Sequence, residues 1–139
     1  MRSIAKPPDP DGGAQLGRAE CLRLLGSAPV GRVVFSQAAL PAAQPVAYLL
    51  DNEEVLFHAE QGSRFAAATR NRVVAFQVDD VDAPARRGWS VLGVGEAYEV
   101  LEPSRLAALT RRLPVLWVRS TGAPHTMSVP MQLLSGRRW

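Results

Sequence analysis

Apolar and polar positions recur along this chain with two different periods, and the switches between them divide it into short elements. From Leu16 the spacing is helical. Cys21, Leu24, Leu25 and Ala28 fall at i, i+3, i+4 and i+7, while Arg18, Glu20 and Arg23 take the opposite face. Gly26 and Pro29 end that helix. The period then shortens. Gly31 to Ser36 is β-branched and apolar and reads as a strand, and a proline-containing loop leads to a second strand, Pro45 to Leu50. Asp51-Asn52 turns tightly and Glu54 to Ala59 returns as the third strand, so the two form a hairpin. Gln61 to Thr69 is a short alanine-rich helix, and Arg72 to Val78 is the fourth strand. Asp79 to Arg87 reads as a polar connection. Trp89 to Leu101 follows as a long strand in which Gly93 and Gly95 are expected to mark a bulge or sharp coil. Pro103 opens a helix whose stripe is Leu106, Leu109 and Leu113, and a final strand lies within Thr126 to Leu134 before a Gly-Arg-Arg-Trp tail.

Six strands with three short helices, joined by hairpins rather than by regular βαβ units, predict an α+β domain built on an antiparallel barrel. Residues 1–14 hold Pro7, Pro8, Pro10, Gly12 and Gly13 with almost no apolar content, and are expected to form a mobile N-terminal arm. Residues 15–139 then form the single domain that a chain of 139 residues allows.

Composition removes several classes of function. The 16 basic residues exceed the 13 acidic ones by only three, and all but Lys6 are arginine. They are dispersed in pairs such as Arg86-Arg87, Arg111-Arg112 and Arg137-Arg138, without the stripe or arm that a nucleic-acid footprint needs. The longest uncharged stretch, Val33 to Leu50, carries two prolines, two glutamines and a serine, so no membrane-spanning helix is expected. The N-terminus lacks the apolar core of a secretory signal, and Cys21 is the only cysteine, which excludes an intrachain disulfide. A soluble cytoplasmic protein is the expectation.

The catalytic inventory is small: His58, His125 and Cys21. No H-E-x-x-H, C-x-x-C, G-x-S-x-G, P-loop or dinucleotide glycine pattern occurs, and no metal site is expected. Cys21 lies on the apolar stripe of its helix and reads as a small buried hydrophobe. One segment stands out, Val55 to Arg64, where a strand ends, a Gly62-Ser63 turn follows, and a helix begins with Arg64. Backbone N–H groups, a hydroxyl and a guanidinium in that order suit a phosphate. The same residues also allow a simpler reading, in which Ser63 caps the helix and Arg64 is solvated. His58 alternates with Phe57 and Val55 and so faces away from the side they bury. It is either a half-exposed strand histidine or a hydrogen-bonding partner for a ligand.

In the order and spacing of its motifs, the chain resembles the pyridoxamine 5'-phosphate oxidase-like FMN-binding split-barrel family, in its short single-domain branch. The likeness runs from Leu16 to Trp139. It rests on Ser27-Ala28-Pro29-Val30-Gly31-Arg32-Val33-Val34-Phe35, Pro45-Val46-Ala47-Tyr48 and Val55-Leu56-Phe57-His58-Ala59 with Gly62-Ser63-Arg64. Arg72-Val73-Val74-Ala75-Phe76, Gly88-Trp89-Ser90-Val91-Leu92-Gly93-Val94-Gly95 and Ser135-Gly136-Arg137-Arg138 complete it. The resemblance implies a six-stranded antiparallel split β-barrel with short flanking helices, and a homodimer with FMN at the subunit interface. It implies a flavin-dependent oxidoreductase acting on a small-molecule substrate. Carried over by position, Gly62, Ser63 and Arg64 would meet the phosphate, His58 and Ala59 would lie by the flavin ring, and Trp89 and Ser90 would approach from a neighbouring strand.

The chain departs from the family pattern at three places. Phe65 stands where the oxidases carry a second, phosphate-binding cation, Val46-Ala47-Tyr48 replaces an arginine-rich strand, and Ser90 replaces a glutamine. One cation instead of two is expected to weaken FMN binding or shift cofactor choice. Deazaflavin- and haem-binding split barrels, and a non-enzymatic flavin-binding module, are therefore the alternatives.

Overall fold

The computed structural model describes residues 13–114 and 122–139, and the expected arm lies outside them up to residue 12. In chain order, β1 (Ala14–Gln15) precedes α1 (Arg18–Leu25), and β2 (Val30–Gln37), β3 (Leu40–Ala47), β4 (Leu49–Asp51) and β5 (Glu54–Ala59) follow. Next come α2 (Arg64–Thr69), β6 (Val73–Asp82), β7 (Arg87–Glu96), β8 (Tyr98–Glu99), α3 (Pro103–Arg112), β9 (His125–Pro130) and β10 (Leu133–Arg138).

The strands make two antiparallel sheets, one in the order β1-β10-β7-β6-β2-β3 and one in the order β4-β5-β9-β8. Three extended segments serve both: β3 bends into β4 at Tyr48, β7 into β8 at Ala97, and β9 into β10 at Met131-Gln132. Strands that change sheet at a bend turn two packed sheets into a barrel corner. The result is an α+β split barrel, as the strand pattern and the resemblance predict, although the sheet does not close.

Alternation on the strands builds the core. Val33 and Phe35 of β2, Val74, Phe76 and Val78 of β6, and Val91 of β7 pack against Val55 and Phe57 of β5 and Met127 and Val129 of β9. Each such side chain contributes roughly 1.5–3 kcal/mol on burial. A second cluster of Leu56, Val100, Leu109 and Leu113 ties α3 to the other face of β5, so β5 is buried on both sides. α1 buries Cys21, Leu24 and Leu25, and the Tyr48 hydroxyl donates to the Leu25 carbonyl. Burial pushes the Tyr48 phenol up to about 12, which keeps it a donor.

Four sequence expectations need correction. The proline-containing loop after Ser36 is a hairpin turning on Ala38-Ala39, at φ 51° and 62°, and β3 pairs with β2 from Leu40 to Ala47. Pro41 and Pro45 are tolerated because β3 is a sheet edge, where a missing N–H breaks no second ladder. The connection Asp79 to Arg87 is also strand: β6 and β7 pair out to Asp82↔Arg87, and polarity misled because this end of the hairpin projects beyond the core. Gly93 and Gly95 mark no bulge, since the β6–β7 register runs unbroken through both. The β9–β10 corner crosses β7 there. A Cβ on Gly95 would lie 1.9 Å from the Pro130 carbonyl oxygen, and one on Gly93 2.1 Å from Met131 Sδ. Finally, the C-terminal tail is strand, with β10 pairing to β7 from Leu133↔Val94 to Arg138↔Trp89.

The outer face of the larger sheet carries an apolar row. Ala43, Val34, Ala75, Val94 and Leu133 are successive register partners across β3, β2, β6, β7 and β10. Leu133 is 68% exposed and neighbouring Leu92 is 40% exposed. Among the described residues, no helix is long and apolar enough to cross a membrane.

Candidate functional site

β5 ends at Ala59, and the chain turns through Gln61-Gly62 before α2 begins at Arg64. Gly62 takes φ +75°, a conformation that costs a residue without Cβ little, and no heavy atom lies within 4 Å of where its Cβ would be. The turn is therefore open on that side. Ser63 caps α2, its Oγ accepting from the Ala66 N–H at 3.0 Å, so the simpler sequence reading of this residue holds. The hydroxyl proton is still available to donate to an anion.

Phe65 explains one departure from the family pattern. It is 6% exposed and its ring packs 5.2 Å from Phe35 and 5.5 Å from Phe57, fastening α2 to β2 and β5. A cation at that position would sit in the core. Arg64 and Arg72 line one groove of about 720 Å³ between α2 and the β2–β3 hairpin. Ala38, Ala39, Ala67 and Ala68 leave it open, and no carboxylate of the described residues lines it. Arg18, Arg23, Arg70, Arg105, Arg112 and Arg138 all engage acidic groups. Arg64 and Arg72, both exposed, form no ion pair or side-chain hydrogen bond with any described residue. Two unneutralised guanidiniums over small side chains form an electropositive, anion-receptive groove. Sequence reasoning missed Arg72. No local spacing signalled it, because α2 ends at Thr69 and a turn through Arg70 and Asn71 separates Arg72 from the helix.

Trp89 and Ser90 lie elsewhere. Both are half-buried on β7, and Trp89 packs against the core cluster. Ser90 lines a separate groove of about 400 Å³ with Gln77, Leu92 and Arg137. There the Gln77 carboxamide donates to Ser90 Oγ at 3.2 Å, so a glutamine lies beside this position, contributed by β6. The two grooves share no residue. Within one chain, Arg64 and Ser90 thus line different grooves, and neither His58 nor Trp89 lines either of them.

His58 shares a face of β5 with Leu56 and is half-buried, with Nδ1 3.5 Å from Thr126 Oγ1. Burial lowers its pKa from the ordinary 6.5, against an opposing hydrogen bond that the imidazole donates to the His125 backbone carbonyl, which favours the neutral ring near pH 7. Ala59 is 1% exposed and part of the core. His125 is held by Glu99, with Nδ1 at 2.7 Å from Oε2, while Arg70 pairs with the other carboxylate oxygen at 3.0 Å. Burial alone would raise the Glu99 carboxyl, but His125 and Arg70 together hold it below its usual range. Among the described residues, no three His, Cys, Asp or Glu side chains gather to hold a metal ion.

Comparison with known proteins agrees with this fold. The sequence profile of the pyridoxamine 5'-phosphate oxidase family matches residues 17–138. The uncharacterized protein Rv0080 of Mycobacterium tuberculosis is 40% identical over 104 residues, covering 71% of this chain and 68% of the relative. Among solved structures, the FAD binding protein from Mycobacterium smegmatis superposes with a TM-score of 0.79 at 31% identity, over 91% of this chain and 98% of that one. A conserved protein of unknown function from Corynebacterium diphtheriae gives 0.75 at 25% identity, over 91% and 97%. The profile spans every element from α1 to β10, including the Gly62-Ser63-Arg64 turn. This chain belongs to the pyridoxamine 5'-phosphate oxidase family.

Proposed function

We propose that the protein is a flavin-dependent oxidoreductase that holds the FMN moiety of its cofactor by the phosphate at Gly62, Ser63 and Arg64. The observation that carries this reading is the Arg64 guanidinium, which has no acidic partner among the described residues and lines a groove where none of them is acidic, beside an open glycine turn. The residues fit the group: Arg64 can engage two phosphate oxygens and the Ser63 hydroxyl can donate a third hydrogen bond. The FAD-binding relative from M. smegmatis, which shares the fold at 31% identity, supports a flavin over haem or deazaflavin.

A bound flavin supplies the electron and hydride chemistry, so the protein needs only to bind, orient and shield it. His58, whose neutral ring is favoured near pH 7, can donate or accept one hydrogen bond at the end of β5. Ser90 lines a different groove from Arg64, so one chain does not gather both residues around one ligand. A homodimer that seats β7 of one chain near the α2 turn of the other resolves this separation. The apolar row on the larger sheet offers the surface for it. The substrate is then a small molecule admitted beside the flavin, and the compartment is the cytoplasm.

Purified protein should show oxidised flavin absorption near about 450 nm, whereas a Soret band would favour the haem alternative. Arg64→Ala should lose most flavin affinity, by about tenfold or more, because it removes a charge-assisted bidentate contact. Full affinity in that variant overturns the placement of the phosphate. Reduction of the flavin by NAD(P)H, followed by oxidation with an added acceptor, tests the enzymatic reading against a storage or sensing role.

A further inference from the structure

We infer that the cleft beside Trp139 is the docking site of the chain's own N-terminal arm, residues 1–12, with its prolines against the indole and its aspartates against Arg86 and Arg87. The inference is independent of the flavin reading. β1 pairs with the end of β10, Ala14 opposite Arg138 and Gln15 opposite Arg137, and the Leu16 N–H donates to the Gly136 carbonyl at 2.9 Å. The start of the described chain is thereby pinned against its last residues. Gly13 continues this approach at φ +91°, where a Cβ would lie 2.8 Å from the Arg138 carbonyl oxygen and 3.4 Å from Trp139 Cδ1. The arm therefore joins the fold beside the indole.

The cleft suits what that arm carries. It measures about 380 Å³ and is lined by Val81, Asp82, Ala83, Arg86, Arg87 and Trp139. Val81 is 58% exposed and Trp139 44%, an apolar surface on the hairpin that projects beyond the core. Two contacts hold the indole. The Trp139 N–H donates to the Gly88 carbonyl at 2.9 Å, and the Arg137 guanidinium lies 5.6 Å from the ring centroid without lining the cleft. The Asp82 carboxylate is engaged by the Ala85 N–H at 3.1 Å, whereas Arg86 and Arg87 form no ion pair or side-chain hydrogen bond with any described residue. The cleft thus offers an aromatic surface flanked by two available cations. The arm reads Pro7-Pro8-Asp9-Pro10-Asp11 just before Gly12-Gly13. Proline rings pack on an indole at little entropic cost because their φ is already fixed, as when aromatic grooves hold proline-rich segments. Asp9 and Asp11 alternate with those prolines and supply the opposite charge. Pro10 stands three residues before Gly13, a reach of about 10 Å when extended, so the tether keeps the prolines at high local concentration.

Fluorine NMR of the full chain labelled with fluorotryptophan tests this, the Trp139 signal being assigned by Trp139→Phe. Deleting residues 2–12 is expected to move the Trp139 signal and raise its sensitivity to solvent deuterium, while Trp89, packed on the core, keeps its signal in place. In the full chain, Pro8→Ser with Pro10→Ser should move the Trp139 signal in the same direction. A synthetic peptide of residues 2–12 added to the truncated protein should restore the original position saturably. It should bind about fivefold more weakly when Arg86→Ala and Arg87→Ala are combined, as the loss of two exposed ion pairs predicts. A Trp139 signal that ignores both the deletion and the proline substitutions overturns the inference. So does a signal that follows protein concentration and not the arm, which would give the cleft to a second copy. Peptide binding that the arginine substitutions leave unchanged also overturns it.

Discussion

Half-burial strips water from the His58 imidazole on β5, and its pKa falls below the ordinary 6.5 because the charged form loses hydration. The unfolded chain then takes up a proton near 6.5 while the folded chain resists it, so unfolding becomes easier as the pH drops through that value. The loss continues until His58 itself titrates and levels off below. Melting temperatures measured between about pH 5 and pH 7 should fall with acidification, and His58→Gln should flatten the curve in that window. A profile unchanged by the substitution would show that His58 carries no part of the acid sensitivity. Glu99 acts in a separate, more acidic window. Its carboxyl is held below 4.5 by His125 and Arg70, so the stability it contributes is present above 4.5 and is lost only on titration below that value. The strand alternation of His58 was legible in the sequence. Its burial was not, because Leu56 on the same face packs against Val100, Leu109 and Leu113 and Thr126 lies beside the imidazole, all of them far along the chain.

At the scale of elements, the bends that carry strands from one sheet to the other set the demands on sequence. β7 passes beneath the β9–β10 corner, and at Gly95 the Pro130 carbonyl oxygen lies 1.9 Å from where a Cβ would be. Gly95→Ala has no flexible side chain to displace, since the obstructing atom is backbone. It should destabilise the fold by about 3 kcal/mol, the upper range of overpacking effects, as read from urea denaturation midpoints. Unchanged stability would mean that the corner moves freely. Both glycines were visible in the sequence as interruptions of a strand pattern. Their purpose was not, because periodicity within a strand cannot reveal a second strand crossing it. The same applies to β3. Its prolines argued for a loop, and only its place at the sheet edge made them compatible with pairing to β2.

For the molecule as a whole, the separation of the two grooves and the apolar row from Ala43 to Leu133 lead to one expectation. The proposed dimer should form through the larger sheet. Val94 lies inside that row, partnered by Ala75 and Leu133, and is half-buried in one chain. Val94→Glu places a charge on the proposed interface without touching the core, so sedimentation should show a monomer in place of a dimer. Flavin affinity should fall with it, because Trp89 and Ser90 would no longer meet the α2 turn of a second chain. A dimer unaffected by this charge would move the interface elsewhere.

The sequence by itself determined the local units. These are the helical stripe of α1, the β4–β5 hairpin, the Gly62-Ser63-Arg64 turn and the order of motifs that marks the family, because each depends on residues close together in the chain. Tertiary structure decided what those units do together. It buried Phe65 between Phe35 and Phe57, it brought Arg72 around to share a groove with Arg64, and it put Ser90 on a different surface from both. The physical reason is that charge and space in a groove depend on which strands bend across which. That is settled by packing over the whole barrel and by no window of neighbouring residues.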